Sequence, residues 1–181
     1  MNEPYEPAED SFLLEDVVRG LGGGGLAAEV GCSTGYILRA LAEKGFEAVG
    51  TDVNSEALAQ AVERLKNVQG IVHVVNASIL PFRPNAFDVV VANPPYLPEE
   101  PEFHDPAVHG GPEGWETAAE VLKAARVCLK AGGTAVLLAS SLSGVDGLLG
   151  YADGLGFRLV KRVEYSLFFE RLYCFIFRLH G

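Results

Sequence analysis

Residues Leu26 to Asp52 read L-A-A-E-V-G-C-S-T-G-Y-I-L-R-A-L-A-E-K-G-F-E-A-V-G-T-D. Leu26–Val30 is a short apolar run, the pattern of a buried strand. Gly31-Cys-Ser-Thr-Gly35 breaks it with a glycine-rich turn. Tyr36 to Lys44 then reads as a helix stopped by Gly45, and Glu47–Thr51 as a second strand closed by Asp52. Strand, turn, helix, strand is a βαβ unit. It makes the two strands parallel and joins them by a right-handed crossover.

Working outward, the same alternation continues. Upstream, Glu9 to Arg19 carries Leu13, Leu14, Val17 and Val18 at helical spacing, with Ser11, Glu15 and Arg19 on the other side and Gly20 as a stop. The stretch 20–27, G-L-G-G-G-G-L-A, reads as a loop. Downstream, Asn54 can cap a helix bearing Leu58, Val62 and Leu65. Ile71–Val75 and the nearly all-apolar Phe87–Ala92 are the third and fourth strands, with a short connection that shows no clear helix. Gly114 to Lys130 reads as a helix ended by Gly132-Gly133, Thr134–Ala139 as a fifth buried strand, and Val145–Leu155 as a helix weakened by Gly147, Gly150 and Gly154. Arg158–Tyr165 and Leu172–Leu179 are joined only by S-L-F-F-E-R, so they predict an antiparallel hairpin. The expectation is an α/β, Rossmann-like, doubly wound and mostly parallel seven-stranded sheet with an antiparallel C-terminal hairpin. The apolar C-terminal strand L-Y-C-F-I-F-R-L reads either as core or as an edge, and an edge this apolar should be covered by a partner.

A chain of 181 residues with 49% hydrophobic and 21% charged residues is expected to form one globular domain, 1–181. It has no charge-free apolar run long enough for a membrane span, and M-N-E-P-Y-E-P-A-E-D does not resemble a secretory leader. Cys32, Cys128 and Cys174 are far apart and no Cys/His spacing suits zinc, so no metal site is expected. Cytoplasmic location is the default. The net charge of −10 and the lack of any Lys/Arg cluster argue against stable nucleic-acid binding.

Candidate chemistry falls at the carboxyl ends of strands, where open α/β sheets bind ligands. A glycine turn from Gly31 to Gly35 lets a ligand approach the backbone. Asp52, 17 residues after Gly35, can accept hydrogen bonds from ribose hydroxyls. Together they favour a nucleoside. Directly after the fourth strand stands Asn93-Pro94-Pro95-Tyr96. Its prolines fix the backbone, and the Asn93 side chain and Pro94 carbonyl offer two acceptors to one planar NH2 group. Tyr96 can pack on the flat face of that group. An amide or base nitrogen is a poor nucleophile, so positioning would be the main contribution.

The pattern E-x-G-x-(G/S)-x-G, here Glu29 to Gly35 with Ser33 at the usual middle glycine, resembles the first motif of class I S-adenosylmethionine (SAM)-dependent methyltransferases. Asn-Pro-Pro-Tyr resembles the motif of N-methyltransferases acting on glutamine amides, adenine N6 or cytosine N4. The segment Tyr5 to Leu14 is similar to the Y-x-P-x-E-D-(T/S)-x-L-L of HemK-like release-factor glutamine methyltransferases, in their short archaeal and eukaryotic branch. Gly110-Gly111-Pro-Glu-Gly114 and Glu170-Arg171-Leu172 are also similar to that branch. The resemblance implies methylation of the glutamine of the Gly-Gly-Gln motif in a class I peptide-chain release factor, with S-adenosylhomocysteine as by-product. It implies a small zinc-binding activator protein as partner. Carried over, Asn93, Pro94 and Tyr96 would be catalytic. Tyr5, Glu9 and Ser11 would help close the SAM site, Gly31 and Gly35 would line its methionine end, Asp52 would hold the ribose, and Ala77 and Ser78 would flank the adenine. Glu29, Val53 and Asn93 would also belong to the cofactor site.

Three other readings compete: an adenine-N6 nucleic-acid methyltransferase, a non-catalytic SAM-binding subunit, and, more distantly, a nicotinamide oxidoreductase. Cys32 reads as filler, and Cys128 and Cys174 as packing. His104 and His109 lie in the loop after the Asn-Pro-Pro-Tyr motif, where exposed histidines are usually only solvated. Trp115 is expected to pack against that loop. The loop, Leu97 to Glu113, reads as a substrate-facing lid or a partly disordered segment.

Overall fold

The computed structural model describes residues 6–100, 102 and 105–181. Among these, the strands β1 (Leu26–Val30), β2 (Glu47–Asp52), β3 (Val72–Asn76), β4 (Phe87–Ala92), β5 (Leu129–Ser140), β6 (Phe157–Ser166) and β7 (Arg171–Leu179) form one sheet in the order β3-β2-β1-β4-β5-β7-β6. The helices are α1 (Glu9–Arg19), α2 (Tyr36–Glu43), α3 (Ser55–Leu65), α4 (Glu116–Cys128) and α5 (Val145–Gly154). The five strands from β3 to β5 pair in parallel, and β7 runs antiparallel to both of its neighbours. This is the expected doubly wound α/β sheet with its C-terminal hairpin.

Residues alternate across the sheet, as a strand's period of two requires. Val89 and Val91 face one way, into a core built with Leu14 and Val18 of α1, Leu38 and Leu41 of α2, and Leu58 and Ala61 of α3. Val90 and Ala92 face the other way, toward Leu122 and Ala125 of α4 and Leu148 and Ala152 of α5. Between β3 and β4 no helix covers the sheet. Leu80, Phe82 and Ala86 of the connection pack into the second core instead, with Phe82 edge-on to Phe87. Asn54 caps α3, its side-chain oxygen accepting from the Glu56 and Ala57 amides.

One expectation is corrected, and one open reading is decided. Gly132-Gly133 does not end α4. That helix stops at Cys128, Leu129 is already extended and paired with Phe87, and the register then jumps so that Val89 meets Thr134. The glycines lie in this irregular stretch of β5, where Gly132 takes φ +71°. The apolar strand β7 is not an edge. It lies between β5 and β6, with Cys174, Phe175 and Phe177 buried, so its hydrophobicity is core packing. The sheet edges are β3 and β6.

Gly50 of β2 faces α2, where an added Cβ would come within 2.6 Å of Leu38 Cδ2 and 2.7 Å of Cys32 Sγ. Overpacking of this kind costs about 1–3 kcal/mol. Gly50→Ala is therefore expected to lower the midpoint of thermal unfolding, and an unchanged midpoint in circular dichroism would show that this contact yields freely.

Candidate active site

The strand order reverses between β1 and β4, which leaves a crevice at their carboxyl ends. A cavity of about 460 Å³ occupies it. Pro7, Asp10 and Ser11 come from the start of α1, and residues Gly31 to Thr34 from the glycine turn. Asp52, Val53 and Asn54 follow β2, and Asn93 to Leu97 follow β4. Pro106, Ala107 and Val108 close one side.

The glycine turn is fixed from behind. The amides of Gly31 and Cys32 both donate to Thr51 O, and Ser33 N–H donates to Asp52 Oδ2 at 2.8 Å. Ser33 holds φ +43°, the left-handed region that glycine favours, which is how a serine fits where a glycine is usual. Gly31 has φ +70°, and a Cβ built there would meet nothing within 4 Å, so the backbone is open at this point. Gly35 serves packing: a Cβ would come within 2.9 Å of Leu65 Cδ1. Asp52 Oδ1 accepts from Asn54 N–H at 2.8 Å, so both of its oxygens are oriented at the end of β2.

Glu29 ends almost fully buried beneath the turn, and its Oε2 has no hydrogen-bond partner among the described residues. Burial drives its carboxyl well above the usual range, and the nearby Asp52 charge adds to this, against one backbone hydrogen bond from Leu38. Burial likewise raises the Cys32 thiol, so Cys32 is no nucleophile. Cys128 and Cys174 are buried, as packing requires, with the Cys174 thiol pushed up to about 12 by burial. Beside the turn, Tyr36 OH hydrogen-bonds Glu15, which pushes its phenol up to about 12.

Asn93 makes the most informative contact. Its Nδ2 donates to Asp10 Oδ2 at 2.9 Å, across 83 residues of sequence. An ionised carboxylate only accepts, so Asp10 fixes which end of the amide is NH2. Asn93 Oδ1 is then left buried with no hydrogen-bond partner among the described residues. A buried acceptor left unsatisfied is costly, so one on a residue that lines a cavity is suited to a donor on a ligand. Tyr96 OH also reaches Asp10 Oδ2, at 3.4 Å. Asp10 is absent from the residues singled out in the sequence. Its signal was present in Glu9-Asp10-Ser11, but only tertiary contact selects it.

The structure brings Ser11, Glu29, Gly31, Asp52, Val53, Asn93, Pro94 and Tyr96 to one cavity. Tyr5 and His104 lie outside the described residues. Glu9 is exposed on the first turn of α1, and Gly35, Ala77 and Ser78 do not line the cavity. Val53, Asn54 and Ala57 line it at the end of β2 where Ala77 and Ser78 were expected to contribute. His109 is not a solvated loop histidine. It is buried, and its Nδ1 accepts from Asp105 N–H at 2.9 Å.

The described residues of the loop after the Asn-Pro-Pro-Tyr motif are tied together by backbone hydrogen bonds. Leu97 N–H donates to Val108 O, Gly110 N–H to Leu97 O, and Glu99 N–H to Gly111 O. Gly110 permits the fold-back, since a Cβ there would lie 2.3 Å from Pro95 O. Trp115 packs over Gly144 and Gly147 and against Tyr151, with its indole N–H donated to Glu113.

A family model described as a methyltransferase domain matches residues 27–105. A Methanocaldococcus jannaschii chain named as a protein N5-glutamine methyltransferase is 34% identical over 185 residues, covering 94% of this chain and 89% of that relative. The human protein named methyltransferase HEMK2 is 32% identical over 125 residues, covering 63% of this chain and 58% of the relative. Among solved structures, the E. cuniculi Mtq2–Trm112 complex, titled as responsible for methylation of the translation termination factor eRF1, superposes with a TM-score of 0.77 at 28% identity. That match covers 97% of this chain and 98% of the other.

Proposed function

The chain belongs to the protein N5-glutamine methyltransferases, and from that premise we propose that it methylates the side-chain amide of the Gly-Gly-Gln glutamine in a class I peptide-chain release factor. The observation that carries the reading is Asn93 in the cavity lining, with its Oδ1 lacking a hydrogen-bond partner among the described residues and its Nδ2 held by Asp10.

The residues present fit SAM as cofactor. Glu29 Oε2 is an open acceptor in a buried place, suited to an ammonium group. Gly31 leaves the backbone uncovered. Asp52 offers an oriented carboxylate to ribose hydroxyls, and the neighbouring Val53, 73% exposed, offers an apolar face to a base. When bound, SAM supplies an electrophilic sulfonium methyl and leaves as S-adenosylhomocysteine.

The chain's own part is positional. Asn93 Oδ1 and the Pro94 carbonyl accept the two N–H bonds of the glutamine amide. That aims the nitrogen and stabilises the positive charge growing on it as its lone pair forms the N–C bond. One of its protons is then lost to water. Tyr96 is held by Asp10 beside the amide, and Ser11 closes the cavity near α1. Residues 1–181 act in this reading as one domain.

A small partner is consistent with the titled complex of the E. cuniculi relative. We place a small zinc-binding activator on one of the two free sheet edges. These expose Ile71 and Val62 near β3, and Val160 and Tyr165 on β6.

The test is mass spectrometry on a matched class I release factor incubated with the protein and SAM, with and without that activator. A gain of one methyl on the Gly-Gly-Gln glutamine is expected. Methylation of adenine in DNA or RNA, with the factor untouched, would overturn the reading. Asp52→Ala should weaken SAM binding about ten- to a hundredfold in calorimetry, since charge-assisted hydrogen bonds to the ribose are lost. Unchanged affinity would remove Asp52 from the cofactor site.

A further inference from the structure

Residues 6–18, 93–100, 102 and 105–115, which belong to α1 with its approach and to the loop after β4, contain ten acidic residues and no lysine or arginine. The rest of the sequence has fourteen acidic and fourteen basic residues, so these residues account for the net charge of −10. Glu6, Glu9, Glu99, Glu100 and Glu113 are all exposed there.

The turn between β6 and β7 adds a second feature at the same end of the sheet. Phe168 and Phe169 are 92% and 87% exposed and pack edge-on to each other at 4.5 Å. Leaving two adjacent phenylalanines in water has no benefit to the fold. The turn is well fixed. Leu167 N–H donates to Glu170 O at 2.8 Å, Ser141 N–H to Arg171 O at 2.8 Å, and Arg171 N–H to Ser141 Oγ at 2.9 Å. In the ladder, Ala92 aligns with Leu137 and Leu137 with Phe175. The turn therefore stands two strand spacings, about 10 Å, to the side of Asn93 and on the order of 15 Å beyond it. Beside the aromatic pair, Glu170 Oε1 is buried with no hydrogen-bond partner among the described residues.

We propose that the Phe168-Phe169 turn and the acidic rim together form a docking surface for the protein that presents the target glutamine. The surface fits a basic partner with an apolar recess for the two rings. The acidic segments draw such a partner in and repel a nucleic-acid backbone. The phenylalanines hold the body of the partner while its loop enters the cavity. This rests on the proposed function and specifies how the protein substrate is chosen.

The experiment compares wild type with the double variant Phe168→Ser/Phe169→Ser, each with the activator where activity requires it. Two substrates are used: the intact release factor and a short synthetic peptide with the Gly-Gly-Gln loop alone. The variant is expected to lose about tenfold or more in kcat/KM on the intact factor through KM, as for a central apolar anchor. Its activity on the peptide and its affinity for SAM stay at wild-type levels. Rising ionic strength should lower kcat/KM of wild type on the intact factor more than on the peptide.

Equal losses on factor and peptide, or no loss on either, would overturn the docking surface while leaving the proposed function intact. So would loss of activator binding, or of a self-associated dimer, on sedimentation of the variant, because the turn would then serve another occupant. Wild type that methylates neither substrate would overturn both.

Discussion

Asn93→Ala is expected to lower kcat for glutamine methylation by about 10²–10³, the scale seen when one aligned hydrogen-bonding group is removed from a reacting centre. Affinity for SAM should change far less. The physical reason lies in the nucleophile. An amide nitrogen shares its lone pair with the carbonyl, so it reacts only when held in line with the methyl and when the charge growing on it is met by acceptors. Asn93 lines the cavity, and its buried Oδ1 has no hydrogen-bond partner among the described residues, which suits it to accept the incoming N–H. Single-turnover assays separate this from weaker substrate binding. A loss confined to KM would mean that Asn93 only binds the amide, and full activity would remove it from the reaction.

The second large effect concerns Asp10. Asp10→Ala should lower kcat about ten- to a hundredfold, matching the loss of a charge-assisted hydrogen bond of about 1.5–3 kcal/mol. Asp10 is a positioning residue: it accepts from Asn93 Nδ2 at 2.9 Å and from Tyr96 OH at 3.4 Å. Without it the Asn93 amide can turn over and present NH2 to the substrate, a donor facing donors. Asp10→Asn keeps one acceptor and should recover part of the loss. A merely structural role predicts something else, namely that both variants unfold at lower temperature and that kcat per folded molecule is unchanged. Measured kcat, KM and thermal midpoints of the two variants decide between these.

Local chemistry in the sequence determined most of the fold. The glycine stops, the helical spacing of Leu13, Leu14, Val17 and Val18, the Asn54 cap and the apolar run Phe87–Ala92 each act within a few residues, so they could be read before any contact was known. The same holds for the Glu29 to Gly35 turn and the Asn-Pro-Pro-Tyr motif, whose glycines and prolines constrain the backbone by themselves. What local reading could not supply was the pairing of distant groups. The place of β7 between β5 and β6 follows from which apolar faces meet, and Gly132-Gly133 became part of β5 because β4 claims Leu129 as a partner. His109 is buried because Leu97 pairs with the far side of its loop. The site shows the same division. The sequence marked Asn93, but the atom that orients it belongs to Asp10, 83 residues away. The residues beside Asp52 at the cavity wall are Val53, Asn54 and Ala57, with Ala77 and Ser78 set aside. Hydrogen-bond orientation and cavity shape are properties of side chains packed across the sheet, and only the tertiary structure brings those side chains together.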